Sequence, residues 1–386
     1  MKKGWKIELL KNSCKVFDDG NWIESKDQSP SGIRLVQTGN IGFGFFKDKE
    51  DKSRFISEDT FVRLKCTEIL PGDLLVSRLP DPVGKSCIIP DLKIKMITGV
   101  DCTIIRTKDF LKPEFLRYFQ MSNSYLKDVD ARVTGTTRSR ISRKNLGLVE
   151  IPIPPLEEQC TIVAKLDQAF AAIDQAKTNI EKNIANAKEL FQSKLNQIFS
   201  QKGDGWEEKT LEKTFKLKSG DGLTSKMMIQ DGEYPVYGGN NIAGYYDKFN
   251  FEHGVIVGRV GALCGNARFI NEKVWITDNA FKLTEFKYEF DFKFLSYLLN
   301  FKNLRSYARQ AAQPVISNSS LKDVILNFPN SIETQQQIVK QLDQLQEQTN
   351  LLVTKYKQKL ANLEELKKSI LEKAFKGELI TQKIEV

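Results

Sequence analysis

Between Arg132 and Lys144 the chain reads RVTGTTRSRISRK, a run rich in arginine and free of acids, with Thr134, Gly135, Thr136, Thr137 and Ser139 between the charges. Arginine forks grip phosphates or guanine edges at two points, hydroxyls donate to phosphate oxygens, and glycine lets a backbone come close to either. Arg132, Thr134, Thr136, Thr137, Arg138 and Arg140 are therefore candidate contacts to a nucleic acid, with a solvated basic loop as the alternative. A second stretch, NLRSYARQAAQP at 303–314, contributes Arg305, Arg309 and Gln313. Arg78 and Lys85 in SRLPDPVGKS, Arg259 in VGRVGALCGNARF and Asn240 in YGGNN complete the candidates. The glycines beside them suit a backbone approaching a ligand, and a tight strand turn accounts for them equally.

Bond-breaking chemistry finds no comparable footing. DPVGKS resembles the end of a phosphate-binding loop, but the first glycine of that loop would stand where the chain has Leu79. GFGFFK ends in Lys47 where a dinucleotide fingerprint needs glycine, and no N/D-P-P-Y/F motif for holding a flipped base is present. Acid-x-lysine triplets such as EFK at 285–287 are expected by chance in a chain with 49 acids and 58 bases. The single histidine, His253, excludes His-rich metal sites. Cys14, Cys66, Cys87, Cys102, Cys160 and Cys264 form no CxxC pair and read as buried thiols. No catalytic residue and no metal ligand is assigned; recognition and scaffolding are favoured over catalysis.

The elements that must position these residues come from the rest of the chain. Its 386 residues exceed one ordinary core, at roughly 150 residues per domain. A net charge of +9 permits an anionic partner without demanding one. No stretch approaches the roughly 18 apolar residues of a membrane span, and MKKGWKIELLKNS lacks the apolar core of an export signal, so the expected location is the cytoplasm, with no membrane partner.

The chain also repeats itself. ISRKNLGLVEIPIPPLEEQCTIVAKLDQ at 141–168 aligns with ISNSSLKDVILNFPNSIETQQQIVKQLDQ at 316–344, and GW at 4–5 returns at 205–206. PEFLRYF (113–119) matches FKFLSYL (292–298), and LLVSR ending at Arg78 matches VIVGR ending at Arg259. In each copy a segment rich in glycine, aromatic and β-branched residues precedes one with no proline or glycine and apolar residues at heptad spacing. The first seam is Val163, Leu166, Phe170, Ile173, Ile180, Ile184 and Phe191, together with Ala187 and Ile198; the second is Leu342, Leu345, Leu352, Tyr356, Leu363, Leu366 and Ile370. Lys177, Thr349 and Lys359 interrupt the seams. Helices of ~45 residues would each run ~65–70 Å, too long to be stable alone in water, so each is expected to need the other.

Prolines 152, 154 and 155 enforce an extended entry to the first helix, and Glu157 and Glu158 place acids near its positive end. The second entry keeps Pro329 and offers Ser331 as N-cap with Glu333 behind it. The expected fold is α+β: two related globular domains joined by two long helices in an antiparallel coiled coil, with pseudo-two-fold symmetry. The expected boundaries are 1–155, 156–202, 203–331 and 332–386.

This order of domain, IPIPPLEEQ helix, GW start, second domain, ETQQQIVKQLDQ helix and closing ILEKAFKGEL resembles the specificity (S) subunits of type I restriction-modification enzymes across essentially the whole chain. The resemblance implies two target recognition domains that read the halves of a bipartite site in double-stranded DNA. It also implies helical regions that dock two methyltransferase (M) subunits, with restriction (R) subunits joining them. S-adenosylmethionine, ATP and magnesium would then belong to the partners, and none to this chain. The second junction, LNFPNSIETQQQ, departs from the family by lacking the fuller proline string and the paired LEEQ. A coiled-coil interaction protein that reads no DNA stands as the alternative from another class.

Overall fold

The computed structural model describes residues 4–135, 139–200, 205–309 and 313–379. The chain divides into two compact units, one of Met1–Ile180 with Gln358–Val386 and one of Glu181–Lys357. The first carries strands β1 (Lys6–Leu9), β2 (Cys14–Asp19), β3 (Gln28–Ser29), β4 (Ile33–Val36), β5 (Arg54–Ile56), β6 (Leu74–Ser77), β7 (Ser86–Ile88), β8 (Met96–Thr98), β9 (Cys102–Thr107) and β10 (Glu150–Ile153). Its helices are α1 (Glu58–Arg63), α2 (Pro113–Phe119), α3 (Asn123–Asp130), α4 (Arg143–Leu146) and the first half of α5 (Leu156–Phe199). The second carries β11 (Trp206–Thr210), β12 (Lys216–Ser219), β13 (Tyr234–Tyr237), β14 (Ile242–Tyr246), β15 (Gly254–Gly258), β16 (Ala267–Ile270), β17 (Trp275–Ile276), β18 (Ala280–Thr284), β19 (Ile325–Pro329), α6 (Phe292–Phe301), α7 (Asn318–Leu321) and the start of α8 (Ile332–Lys376).

The two units share one plan. A four-stranded sheet ordered β2-β9-β6-β7 in the first corresponds to β12-β18-β15-β16 in the second. Beside it stands β3-β5-β4-β8 in the first and β14-β13-β17 in the second, each containing one parallel pair, β4 with β8 and β13 with β17. A two-stranded ribbon closes each domain: β1 on β10, with Ile7 opposite Pro152, and β11 on β19, with Trp206 opposite Pro329. The proline-bearing strand is thus paired to the domain's own beginning, which is why GW recurs as the partner of the helix entry.

Residues repeated between the copies make the joint between domain and helix. Gln159 and Gln335 are fully buried. Gln159 accepts from the Lys112 amide at 2.8 Å and donates to the carbonyls of Phe110 and Pro154, both at 2.8 Å. Gln335 does the same with the Asp291 amide at 2.8 Å and the carbonyls of Glu289 (3.2 Å) and Pro329 (2.9 Å). About two turns further along, Tyr118 donates to Asp167 at 2.5 Å and Tyr297 to Asp343 at 2.8 Å. Burial and the Asp167 carboxylate push the Tyr118 hydroxyl up to about 12, and the same causes raise Tyr297, so both stay protonated donors. At the second entry Ser331 Oγ accepts from the Thr334 amide at 3.2 Å, an N-cap.

Each domain also receives the far end of the other long helix. Phe375 of α8 packs against Phe115 and Phe119 of α2 with ring centroids 5.3 Å apart, among the buried residues of the first core. Phe199 of α5 packs against Phe294 (5.6 Å) and Phe301 (5.2 Å) in the second. Within each unit the segments of the two helices pair antiparallel. In the first unit Asp174 meets Lys367 at 2.7 Å and Lys177 meets Glu364 at 2.5 Å; in the second, Leu195 and Ile198 share a core with Ile338 and Leu342.

On α5, Val163, Leu166, Phe170, Ile173, Ile180, Ile184 and Phe191 are all buried or half-buried. On α8, Leu342, Leu345, Tyr356, Leu363 and Ile370 are likewise covered, but Leu352 and Leu366 are 40% and 45% exposed. Two residues of the expected seam therefore require correction. The rows that face inward are Leu342, Thr349, Tyr356, Leu363, Ile370 and Gln346, Val353, Leu360, Lys367, so Leu352 and Leu366 each sit one position off the seam. Thr349 and Lys177 occupy the seam as polar residues, whereas Lys359 lies outside it. The cysteine reading needs one correction as well: five are buried, but Cys160, on the outer face of α5, is exposed.

Candidate nucleic-acid interface

At the same place in each domain a strand of the four-stranded sheet ends in an arginine. Arg78 follows β6; its amide donates to the Asp101 carbonyl at 2.9 Å, and its own carbonyl accepts from Ile141 at 3.2 Å. Arg259 follows β15, with the Asn279 carbonyl and the Ile316 amide in those roles, both at 2.9 Å. The backbone around these arginines anchors a hairpin. Thr134 and Arg140 exchange backbone hydrogen bonds of 2.9 Å in the first domain, and the Arg309 amide donates to Val315 at 2.9 Å in the second. The candidates Thr136, Thr137 and Arg138, and residues 310–312, lie outside the described residues.

The two arginines differ in what surrounds the guanidinium. Arg78 is 5% exposed, 3.4 Å from the Asp19 carboxylate, and donates to the Val100 carbonyl. Burial lowers its pKa and the Asp19 charge works against that shift. Its assignment as a free DNA contact is corrected on that ground: it ties the strand end to β2 and to the loop before β9. Arg259 is half-buried and has Ser219 where the first domain has Asp19, with Arg259 Nη1 3.2 Å from Ser219 Oγ and 3.5 Å from the Asp278 carbonyl. A hydroxyl stands in place of the carboxylate, and among the described residues no carboxylate pairs with Arg259.

The same contrast extends outward. In the first domain Arg140 pairs with Asp101 (3.2 Å), Arg132 with Asp128 (2.9 Å), and Arg143 with Asp18. In the second, Arg305 donates to the Ala262 carbonyl, Arg309 and Gln313 are exposed, and Asn240 accepts from the Leu263 amide at 2.9 Å. Thr134 is exposed beside the hairpin bridge, and half-buried Lys85 donates to the Asp81 carbonyl at 3.0 Å. Exposed ion pairs contribute little, so Arg140 can exchange Asp101 for a phosphate at small cost.

The YGGNN glycines are explained by the fold itself. A Cβ on Gly239 would lie 1.9 Å from the Val260 carbonyl oxygen, and one on Gly258 would lie 2.2 Å from that of Gly239. That close approach carries Asn240 and Asn241 to the rim. Arg268, not singled out from sequence, donates to Asn241 at 3.1 Å, and burial lowers its pKa. Its only sequence signal is the NARF that follows a glycine turn. His253 is exposed, within 2.9 Å of Asn271 Oδ1 and edge-on to Phe269 and Phe292. Among the described residues no group of acids, histidines and cysteines could hold a metal, and no helix is long and apolar enough to cross a membrane.

Residues 2–186 and 203–362 match the model of the type I restriction modification DNA specificity domain. The type I restriction enzyme StySPI specificity subunit of Salmonella potsdam is 25% identical over 394 residues, covering 91% of this chain and 83% of that protein. The fold resembles a chain from the structure described as the basis of complex assembly and conformational transition of the type I R-M system, with a TM-score of 0.81 at 21% identity, over 98% of this chain and 99% of that one. It also resembles the HsdS subunit of Thermoanaerobacter tengcongensis, with a TM-score of 0.62 at 20% identity over 98% of each chain. Two matched segments, each ending in a long helix clamped by the same buried glutamine, leave one conclusion: this chain belongs to the DNA specificity subunits of type I restriction-modification systems.

Proposed function

We propose that the chain is the non-catalytic reader of a bipartite site in double-stranded DNA, one half read by each domain, and the scaffold on which two methyltransferase subunits and the restriction subunits assemble. The observation that carries this reading is the division of labour between repeated and divergent residues. The clamps of Gln159 and Gln335 and the plugs of Phe199 and Phe375 recur, whereas the hairpin side chains and the partners of Arg78 and Arg259 differ. Joints kept and edges changed are what two readers of unlike half-sites on a common frame require. S-adenosylmethionine, ATP and magnesium belong, on this reading, to the partner subunits. This chain's part is to bind phosphates with its basic rim, to present side chains to base edges and to hold the partners on its helices.

The test is to co-express the full chain with a type I methyltransferase subunit, purify the complex and measure binding to a duplex across a salt series. The expected outcome is a stable complex whose duplex affinity falls steeply with salt. A complex that forms but ignores duplex DNA supports the coiled-coil interaction protein instead.

A further inference from the structure

Among the described residues, Arg78, Arg140, Arg132 and Arg143 around the first hairpin are paired with Asp19, Asp101, Asp128 and Asp18, so cations already free of a carboxylate in the first domain have to come from another place. The structure supplies it at a place that the basic run at 132–144 does not reveal. A concavity of about 260 Å³ opens between the 3-10 turn Thr38–Asn40 and the segment leading into β5, lined by Gln37, Thr38, Lys49, Lys52 and Arg54. Among the described residues lining it there is no acid, and the one lining cation with a carboxylate partner is Arg34, which is buried against Asp48. Lys49, Lys52 and Arg54 are exposed.

The floor of this concavity is stiff. Asn40 Oδ1 accepts from the Gln37 amide at 3.0 Å, and Asn40 Nδ2 donates to the Lys47 carbonyl at 3.0 Å, so the turn is braced from both sides. Lys49 Nζ lies over Gly39, where an added Cβ would come within 3.1 Å of it. Gln37 and Thr38 also line a neighbouring concavity with Trp22, which is 68% exposed, and with Asp101, the partner of Arg140. One continuous surface therefore runs from Arg140, past an exposed indole and two side chains suited to base edges, to three cations that have no carboxylate partner among the described residues, although the exposed Glu50 and Asp51 stand between the lysines in sequence. Lys85 lies close enough to Lys47 and Lys49 for their charges to lower its pKa, although burial is the larger cause and Asp81 works the other way.

We propose that this face is the DNA-holding surface of the first domain: Lys49, Lys52 and Arg54 bind backbone phosphates, and Gln37 and Thr38 face the base edges. The assignment rests on the DNA-reading function above and names its site. The chemistry fits, because lysines act as point charges on phosphate, while glutamine and threonine side chains offer both donor and acceptor to bases in a groove.

The experiment uses the full chain and a fluorescent mixed-sequence duplex, with affinity measured from 50 to 200 mM KCl. Each lost phosphate contact lowers the log-log salt slope by about 0.9, so Lys49→Gln, Lys52→Gln, Arg54→Gln together reduce it by about 2.7. Over that salt range the variant then loses about 40-fold less affinity than the wild type does. Removing the same charge elsewhere, as Lys182→Gln, Lys188→Gln, Lys357→Gln on α5 and α8, leaves the slope within about one of wild type. Gln37→Ala with Thr38→Val keeps the slope and changes the sequences recovered from a randomised duplex pool. A wild-type slope in the first variant, at an unchanged melting temperature, overturns the site while leaving the DNA-reading function standing. A wild-type chain that shows no salt-dependent duplex binding overturns that function, and this site with it.

Discussion

At the scale of single residues, Arg78 is a buried cation facing a carboxylate, whereas Arg259 is half-buried beside a hydroxyl. Arg259→Gln is expected to lower the salt slope of duplex binding by about one and leave the melting temperature close to wild type. Arg78→Gln is expected to remove the nearer of the two arginines facing Asp19, leaving Arg143 at 3.8 Å, and to lower the melting temperature without changing the slope; equal slope losses in both variants would contradict the distinction. The thiols give a second residue-scale expectation. Burial pushes Cys14, Cys87 and Cys102 up to about 12, whereas Cys160 is exposed. A thiol reagent at pH 8 should therefore titrate one cysteine in the native chain and the others only after unfolding. The folded pKa values stand above the unfolded ones, so the unfolded chain loses its thiol protons first as pH rises. This contribution to stability is complete below about pH 9 and is lost between about 9 and 12, so the urea midpoint should be lower at pH 10.5 than at pH 7.5. The types of the basic candidates were visible in sequence, but their partners were not. Nothing in SRLPDPVGKS announces that Asp19, far away in the chain, closes on Arg78, or that Ser219 stands in its place beside Arg259.

At the scale of elements, the sequence displayed its helices and its repeat well, because a heptad pattern and a duplicated string are local properties. It displayed the seam less well. Leu is a stronger apolar signal than Val353 or Lys367, so Leu352 and Leu366 were drawn into a row that geometry gives to their neighbours. Leu342→Ala, at a fully buried position, is expected to cost about 2–4 kcal/mol, and Leu352→Ala less than about 0.5, both read by denaturant unfolding. The repeated glutamines were legible as matches in an alignment but not as clamps, since their partners lie in the loop before α2, in the loop before α6 and in the proline strands. Gln159→Ala leaves the Lys112 amide and two carbonyls without their partner and is expected to cost about 2–4 kcal/mol. Gln335→Ala should cost about as much in the second unit. A loss below about 1 kcal/mol in both would deny the clamp its role.

At the scale of the whole molecule, the sequence repeat and the shared topology say that one unit was made twice and its edges then diverged. The recognition surfaces are the least legible part of the chain, because reading depends on side chains brought together from several loops. Residues 37–54 and Arg140 meet across Asp101 and Thr38, with no trace of that meeting in the order of residues. The central claim, that this chain alone supplies the DNA sequence preference of its complex, is tested most directly by mapping methylated adenines in cells that express a type I methyltransferase subunit with and without it. The account predicts a two-part motif with an unread gap that appears only with this chain, and in which replacing residues 205–331 by the corresponding segment of another specificity subunit changes one half and keeps the other. A motif that persists without the chain, or a single continuous motif unaffected by the exchange, would contradict it.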